Sequence, residues 1–301
     1  MLRRKIIYLI NPISGTRGKK ALTKMIGVKT EAQLIHYEFL STNKEGNYED
    51  LKNKIEKEQV SDIVICGGDG TVSNVAAALI GTNVRIGIIP LGSGNGLALA
   101  AKIPATPSKA LDIIFNGKAS WIDGFFINKQ FSCMLCGLGF DAKVAHDFAN
   151  QKRRGLQTYI KVSLINLFSI KPYSFEINTT ENTFTSDAFF ISIANGNQFG
   201  NNFTIAPQAS LKDGLLDIVI VKKMNKMVLP FSIIGQITGI NGRQELSDYV
   251  DKKNIIYFQA SSLTIVNKHM APLHIDGDPK DTAGIFHIRL VKHAINLIQP
   301  L

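Results

Sequence analysis

Apolar residues follow two different rhythms along this chain, and the change falls near Gly124. Before it, short runs rich in Ile and Val alternate with amphipathic, charged stretches. Lys5–Ile10, Gln33–Leu40, Asp62–Cys66 and Arg85–Ile89 read as short buried strands. Lys19–Gly27, Tyr48–Glu58, Thr71–Ile80 and Asn95–Lys102 carry apolar residues at helical spacing between them. Strand and helix alternating at this length predict a parallel, Rossmann-like sheet with helices on both faces. After Gly124, Phe125–Cys136, Tyr173–Asn178, Ala188–Ala194, Leu215–Val221, Ile255–Ala260, Leu263–Asn267 and Ile285–Leu290 are strand-like, with Asn, Gly, Asp and Lys between them. Several alternate with period two, as in Phe286-His-Ile-Arg-Leu290, which argues for an antiparallel sandwich or barrel. Two helical stretches, Lys143–Phe168 and Lys226–Ile240, interrupt this half. The predicted division is an α/β domain over residues 1–124 and a β-sandwich domain over residues 125–301.

Composition narrows the class. Of 301 residues, 45% are hydrophobic and 19% charged, which excludes disorder and supplies a sizeable core. The 34 Lys and Arg against 24 Asp and Glu leave +10, a balance suited to a polyanionic ligand or an anionic surface. No helix-turn-helix, zinc finger or arginine-rich tail accompanies that charge, so DNA binding is disfavoured. Three cysteines make no disulfide framework, and Cys133 and Cys136 form a single CxxC with no second pair, read as buried strand cysteines. The opening Met1–Pro12 turns from basic to apolar over a strand's length and is read as a strand, not a signal peptide. Met227–Ile240 contains Pro230 and Gln236 and falls short of the roughly 20 residues of a membrane helix. A soluble, cytoplasmic chain is expected.

The candidate chemistry lies in three glycine-rich loops, each leaving a predicted strand on the same sheet edge. Ligands of such sheets sit over the carboxyl ends of the strands. The loops are Asn11-Pro-Ile-Ser-Gly15, Gly67-Gly68-Asp69-Gly70-Thr71 and Pro90-Leu-Gly-Ser93-Gly-Asn95-Gly96. Glycines admit a phosphate close to the backbone, and the helix start that follows offers free N–H groups and a positive dipole end. Any one loop could be a strand-to-helix turn, with Asp69 as a helix cap, but Gly67-Gly-Asp-Gly-Thr71 exceeds what a turn needs and three such loops on one edge favour an anion site. Neither a GxGxxG fingerprint nor a GxxxxGK[ST] loop is present. Two further carboxylate turns stand out, Ser210-Leu-Lys-Asp213-Gly-Leu215 and Asp276-Gly277-Asp278-Pro279. Their composition fits ordinary turns as well as it fits chemistry.

Taken in order, these loops, together with Gly137-Leu-Gly-Phe-Asp141 and Ala194-Asn-Gly196, resemble the diacylglycerol kinase catalytic-domain family, the bacterial lipid kinases related to diacylglycerol and sphingosine kinases. The resemblance runs over nearly the whole chain. It implies an α/β nucleotide domain followed by a β-sandwich, ATP as phosphoryl donor and Mg²⁺ as cofactor. By motif, it implies phosphate contacts from Asn11, Thr42, Gly67, Gly68, Asp69, Gly70, Thr71, Val72, Ser73, Ser93 and Asn95. Asp276 would be the general base that takes the proton of the acceptor hydroxyl. Mg²⁺ would be held by the Asp213 side chain and the carbonyls of Ser210 and Leu215, a hard-oxygen set, and act through water towards Asp69 and Asp123.

The acceptor implied is the hydroxyl of a diacylglycerol- or sphingoid-type lipid, the Gly96-Leu-Ala start of the helix being closer to the sphingosine-kinase branch. Lys152-Arg153-Arg154 before the apolar run Leu156–Phe168 would suit peripheral contact with an anionic inner-membrane face, though a solvated helix start above a buried face is the commoner use. His269, His274 and His287 are read as structural. Two other readings stay open: an NAD kinase-like soluble kinase, since GGDGT is shared, and a non-catalytic nucleotide or lipid sensor. The joint presence of Asp69, Asp213 and Asp276 speaks against the sensor.

Overall fold

A computed structural model describes residues 4–12, 18–43, 46–151, 156–198, 204–238, 240, 243 and 254–301. The chain forms two compact units, Met1–Ile122 with His293–Leu301, and Asp123–Lys292.

In the first unit, β1 (Lys5–Ile10), α1 (Lys19–Ala32), β2 (His36–Ser41), α2 (Glu49–Lys57), β3 (Asp62–Gly67), α3 (Asp69–Leu79), β4 (Arg85–Pro90), α4 (Gly96–Ala100) and α5 (Pro107–Asn116) follow one another. The strands lie in the order β2-β1-β3-β4, all parallel. Ile6, Ile7, Ile63, Val64 and Ile65 are fully buried, as strands covered on both faces require. The last residues of the chain add one more parallel strand, with Asn296 opposite Arg85. That strand, β15 (Ile285–Gln299), begins in the second unit, as β5 (Lys118–Ile127) ends in it.

At the amino ends of these strands the buried Asp62 is gripped from two sides. Arg4 Nε donates to it at 2.9 Å and an Arg85 guanidinium nitrogen at 2.8 Å, with the Ser61 hydroxyl at 2.7 Å. Arg4 also donates to the carbonyls of Ile114 and Phe115, the unpaired end of α5. The periodicity reading missed α5, although Thr106-Pro107 marks a helix start with proline in the first turn.

The second unit is antiparallel. Its elements are β6 (Gln130–Ser132), β7 (Leu135–Gly139), α6 (Phe140–Ala149), α7 (Leu156–Phe168), β8 (Tyr173–Asn178), β9 (Thr183–Ala194), β10 (Leu216–Lys222), α8 (Leu229–Ile237), β11 (Ile255–Ala260), β12 (Ser262–Asn267), β13 (Leu273–Ile275) and β14 (Asp278–Lys280). The long β9 joins its parts: residues 190–194 lie between β7 and β10, and residues 183–188 pair with β8. Phe125, Phe175, Phe258 and Phe286 fill the core together with inward Ile and Leu side chains of the surrounding strands.

Fold class therefore agrees with the two rhythms of the sequence, and the differences are local. The expected strand Phe125–Cys136 is broken twice. A two-residue turn at Asn128-Lys129, with Asn128 at φ 53°, separates β5 from β6. A bend at Cys133-Met134, held by the Met134 N–H on Ser132 Oγ at 3.1 Å, separates β6 from β7. The expected helix Lys143–Phe168 is two helices, and Lys152-Arg153-Arg154 between them lies outside the described residues. In α7, Val162 and Asn166 are buried while Ile165 is exposed.

Asp62→Ala would leave two guanidiniums facing a buried gap. Because both reach solvent, the expected loss is about 2 kcal/mol, below that for a fully buried pair. It would be read as a lower urea midpoint with unchanged slope.

Candidate active site

The strand order reverses between β1 and β3, which opens a crevice above the carboxyl ends of these strands. The loops there are tied to one another. Asn11 donates its backbone N–H to the Cys66 carbonyl at 3.1 Å and its Nδ2 to Thr71 Oγ1 at 2.7 Å. Thr42, after β2, donates its N–H to the Ile10 carbonyl at 3.1 Å. Gly67 ends β3, Gly68 precedes α3, and Asp69 to Val72 form its first turn, with Val72 and Ser73 buried. Ile13, Ser14 and Gly15 of the first loop lie outside the described residues.

The second and third glycine loops touch backbone to backbone. A Cβ at Gly92 would come 2.7 Å from Gly68 Cα, so Gly92 needs glycine, and one at Gly68 would come within 3.1 Å of Gly92 Cα. Asn95, itself at φ 52°, folds back on Gly92, accepting its N–H and donating to its carbonyl, each at 2.8 Å. Asp69 then reaches across: one carboxylate oxygen accepts Gly96 N–H at 3.0 Å, the other Leu97 N–H at 3.2 Å. The cap considered for Asp69 thus exists, but on the following helix. Ser93 is exposed at the tip. The first-turn amides of α3, those of Asp69, Gly70 and Thr71, have their i−4 carbonyls outside the helix. Together with the positive end of the helix, they suit an anion.

In the second unit, Asp276 and Gly277 are the two turn residues between β13 and β14, with φ 52° and 80°. Both lie in the left-handed region, as a tight Asp-Gly hairpin turn requires. Asp276 Oδ1 accepts the Ser132 hydroxyl at 2.6 Å and Leu135 N–H at 3.2 Å, and Asp276 N–H donates to the Leu135 carbonyl at 2.9 Å. The turn reading and a positioned carboxylate coexist here. Beside it, His274 and Asp141 are buried, and His274 Nε2 stands 3.3 Å from Asp141 Oδ2. Burial pushes the Asp141 carboxyl above its usual range, against hydrogen bonds from His274 and the Ala142 amide.

The loop 210–215 hangs from the same scaffold. The exposed Asp213 accepts Leu215 N–H at 3.1 Å and Gln259 Nε2 at 3.1 Å, and the buried Asp123 accepts Gly214 N–H at 2.9 Å. Asn195 Nδ2 links the carbonyls of Asp123 at 2.9 Å and Cys133 at 3.0 Å, while its buried Oδ1 has no hydrogen-bond partner among the described residues. Lys292 packs over Gly214 and brings positive charge to the turn. No group of three or more His, Cys, Asp or Glu side chains converges on a metal position among the described residues. One carboxylate with spare lone pairs and the carbonyls of Ser210 and Leu215 still form an all-oxygen set, which fits a hard cation that keeps several waters.

Periodicity and motifs did not single out Ser132, which holds Asp276, or the Asn195 amide as a brace. Asn195 was visible only as part of Ala194-Asn-Gly196. His269 and His287 bond Ser174 N–H and Thr264 Oγ1, as structural histidines do. Cys133 and Cys136 are buried thiols outside any disulfide, and burial pushes the Cys136 thiol well up, away from redox chemistry.

A parallel nucleotide-type sheet whose anion-suited loops precede an antiparallel sandwich bearing a fixed carboxylate defines a phosphotransferase class. Residues 5–127 match the diacylglycerol kinase catalytic domain, and residues 135–299 the YegS C-terminal NAD kinase beta sandwich-like domain. The chain is 29% identical over 272 residues to the probable lipid kinase YegS-like of Xanthomonas oryzae pv. oryzae (strain MAFF 311018), covering 86% of this chain and 85% of that one. It is 30% identical over 249 residues to the probable lipid kinase YegS of Escherichia coli O17:K52:H18 (strain UMN026 / ExPEC), covering 80% and 79%. A diacylglycerol kinase structure from Bacillus anthracis str. Sterne shares the fold, with a TM-score of 0.73 at 19% identity over 99% of this chain and 98% of that one. The chain belongs to the diacylglycerol kinase catalytic-domain family, with its YegS-type sandwich, and is a kinase with an alcohol acceptor.

Because Asp141 holds its proton more tightly folded than unfolded, the stability it contributes is complete below pH about 4 and is lost as pH rises through its folded pKa. Asp141→Asn cannot ionise. The stability difference between wild type and variant should therefore move in favour of the variant as pH rises from about 4 through the folded pKa. Urea denaturation across that range checks it, and a flat difference counts against the buried-carboxyl account.

Proposed function

We propose that this chain transfers the γ-phosphate of ATP to a hydroxyl of a diacylglycerol- or sphingoid-type lipid, with Asp276 as general base. The observation that carries this reading is the held carboxylate of Asp276. The Ser132 hydroxyl and the Leu135 amide both bond Oδ1, which holds the carboxylate in one orientation. In the reaction, the acceptor oxygen attacks the γ-phosphorus as its proton passes to Asp276, and the bond to the β-phosphate oxygen breaks to release ADP. The triphosphate would rest on the amides of Gly68 to Thr71, with Val72 and Ser73 behind, and on Asn11, Thr42, Ser93 and Asn95. Asp69 would keep the two glycine loops together. Positioning and charge neutralisation supply most of the acceleration in such transfers. Asp213 and the carbonyls of Ser210 and Leu215 would hold Mg²⁺, which adds positive charge near the phosphates when bound.

The test is transfer of labelled phosphate from ATP to a panel of monoacylglycerols, diacylglycerols, sphingoid bases, glycerol and NAD. Label is expected in an organic-extractable product. Asp276→Asn should lower kcat by about 10²- to 10⁴-fold while ATP binding survives. Label found only in NADP would replace this reading with that of an NAD kinase. ATP binding without transfer to any acceptor would replace it with a sensor.

A lipid acceptor implies an encounter with a bilayer, and α8 supports one. Phe231 is 73% and Ile234 56% exposed, Met227 and Ile240 are exposed beside them, and the exposed Lys223 and Lys226 lie just before the helix. Exposed apolar side chains next to a basic stretch suit an anionic membrane surface. No helix among the described residues is long and apolar enough to cross a membrane. Sedimentation with phosphatidylglycerol-containing vesicles should capture the protein, and phosphatidylcholine vesicles should capture less. Phe231→Asp with Ile234→Asp should lower capture by about tenfold or more at unchanged melting temperature. Equal capture of variant and wild type would remove α8 from this role.

A further inference from the structure

We propose that the buried pair His274–Asp141 is a positioning device for Asp276, setting the turn that presents the carboxylate to the acceptor. The inference rests on the reading of Asp276 as general base. Asp-Gly is a favoured pair for such a two-residue turn, and hydrogen bonds on both of its sides fix the orientation of Asp276 further. Part of that hold comes from Ser132 and Leu135. A further part comes from the other side of the turn, where Gly277 N–H donates to His274 Nδ1 at 3.2 Å.

That hydrogen bond decides the imidazole's state. An accepting Nδ1 carries no proton, so the ring proton sits on Nε2 and points to Asp141 Oδ2, 3.3 Å away. Asp141 is itself fixed at the start of α6, its Oδ1 accepting Ala142 N–H at 2.8 Å. From the same helix, His146 Nε2 bonds the carbonyl of Leu273, the neighbour of His274, at 2.9 Å. Asp141 thus orients His274, His274 holds Gly277, and Gly277 fixes the residue before it.

The sheet is built around the pair. His274 lies opposite Gly137 in the β13–β7 ladder, and a Cβ at Gly137 would fall on the Asp141 carboxylate and 2.5 Å from His274 Nε2. Only glycine at that position lets the two side chains meet above β7. Burying an imidazole and a carboxyl costs stability that an aliphatic pair of similar volume would not. Core filling alone does not require them, whereas an acceptor aimed at Gly277 requires the nitrogen, and the nitrogen requires Asp141 to hold its tautomer.

Two near-isosteric replacements separate positioning from packing. The side-chain oxygen of Asn overlays Nδ1 of histidine, whereas Gln extends its amide to the Nε2 position. His274→Asn therefore keeps an acceptor for Gly277 and His274→Gln does not. Expected for His274→Gln is a kcat lower by roughly 10- to 100-fold, the scale of a misplaced catalytic group, with KM for ATP unchanged and faster exchange of the Gly277 amide. His274→Asn should stay within about threefold of wild type, with that amide still protected. If both variants lose activity equally and in step with melting temperature, the pair is packing and the inference falls. Wild-type kcat for His274→Gln, with Asp276→Asn inactive, also overturns it while sparing the base. Wild-type kcat for Asp276→Asn overturns the base reading and this inference together.

Discussion

The carboxylate of Asp69, laid across the amides of Gly96 and Leu97, ties the loop after β3 to the loop after β4. Beside that bridge, the two glycine loops meet through Leu91 N–H on the Gly67 carbonyl at 2.9 Å and the close approach of Gly68 and Gly92. A carboxylate on backbone amides is a charge-assisted bond, stronger than the neutral contacts around it. It lets two short turns act as one surface. Asn11, bonded to Thr71, adds the loop after β1 across the reversal of strand order. A polyphosphate needs several donors held in fixed relation before it arrives, since ordering them afterwards would consume the binding energy.

The sandwich unit solves a related problem for a single carboxylate. Asp276 sits on a turn that suits an Asp-Gly pair, and the hydrogen bonds of Ser132, Leu135 and His274 around the turn fix it further. The brace extends through Asn195 to Asp123 and so to the loop bearing Asp213. The candidate base and the candidate cation loop thus share one buried framework within the unit.

Much of the fold was legible because burial imposes periodicity. β1, β3 and β4 of the first half are buried on both faces, whereas β2, expected to be buried, is a half-exposed edge strand; the alternating runs of the second half are buried on one. Breaks were less legible because they depend on single residues. Asn128 in left-handed conformation and the Ser132 hydroxyl end strands within an apolar run that reads as continuous. α5 was missed because short amphipathic stretches are weak signals until Arg4 caps their carbonyls from the far end of the unit.

The candidate site divides in the same way. Glycine spacing and the order of the loops along the chain determined the class of protein and named the residues at the sheet edge, since phosphate-approaching turns tolerate few side chains. Only tertiary structure decided that Asp69 serves α4, that Ser132 grips Asp276 across 144 positions of sequence, and that His274 faces Asp141 above Gly137. Partners so distant in the chain leave no local pattern. Their pairing depends on strand register, which the packing of the whole unit sets.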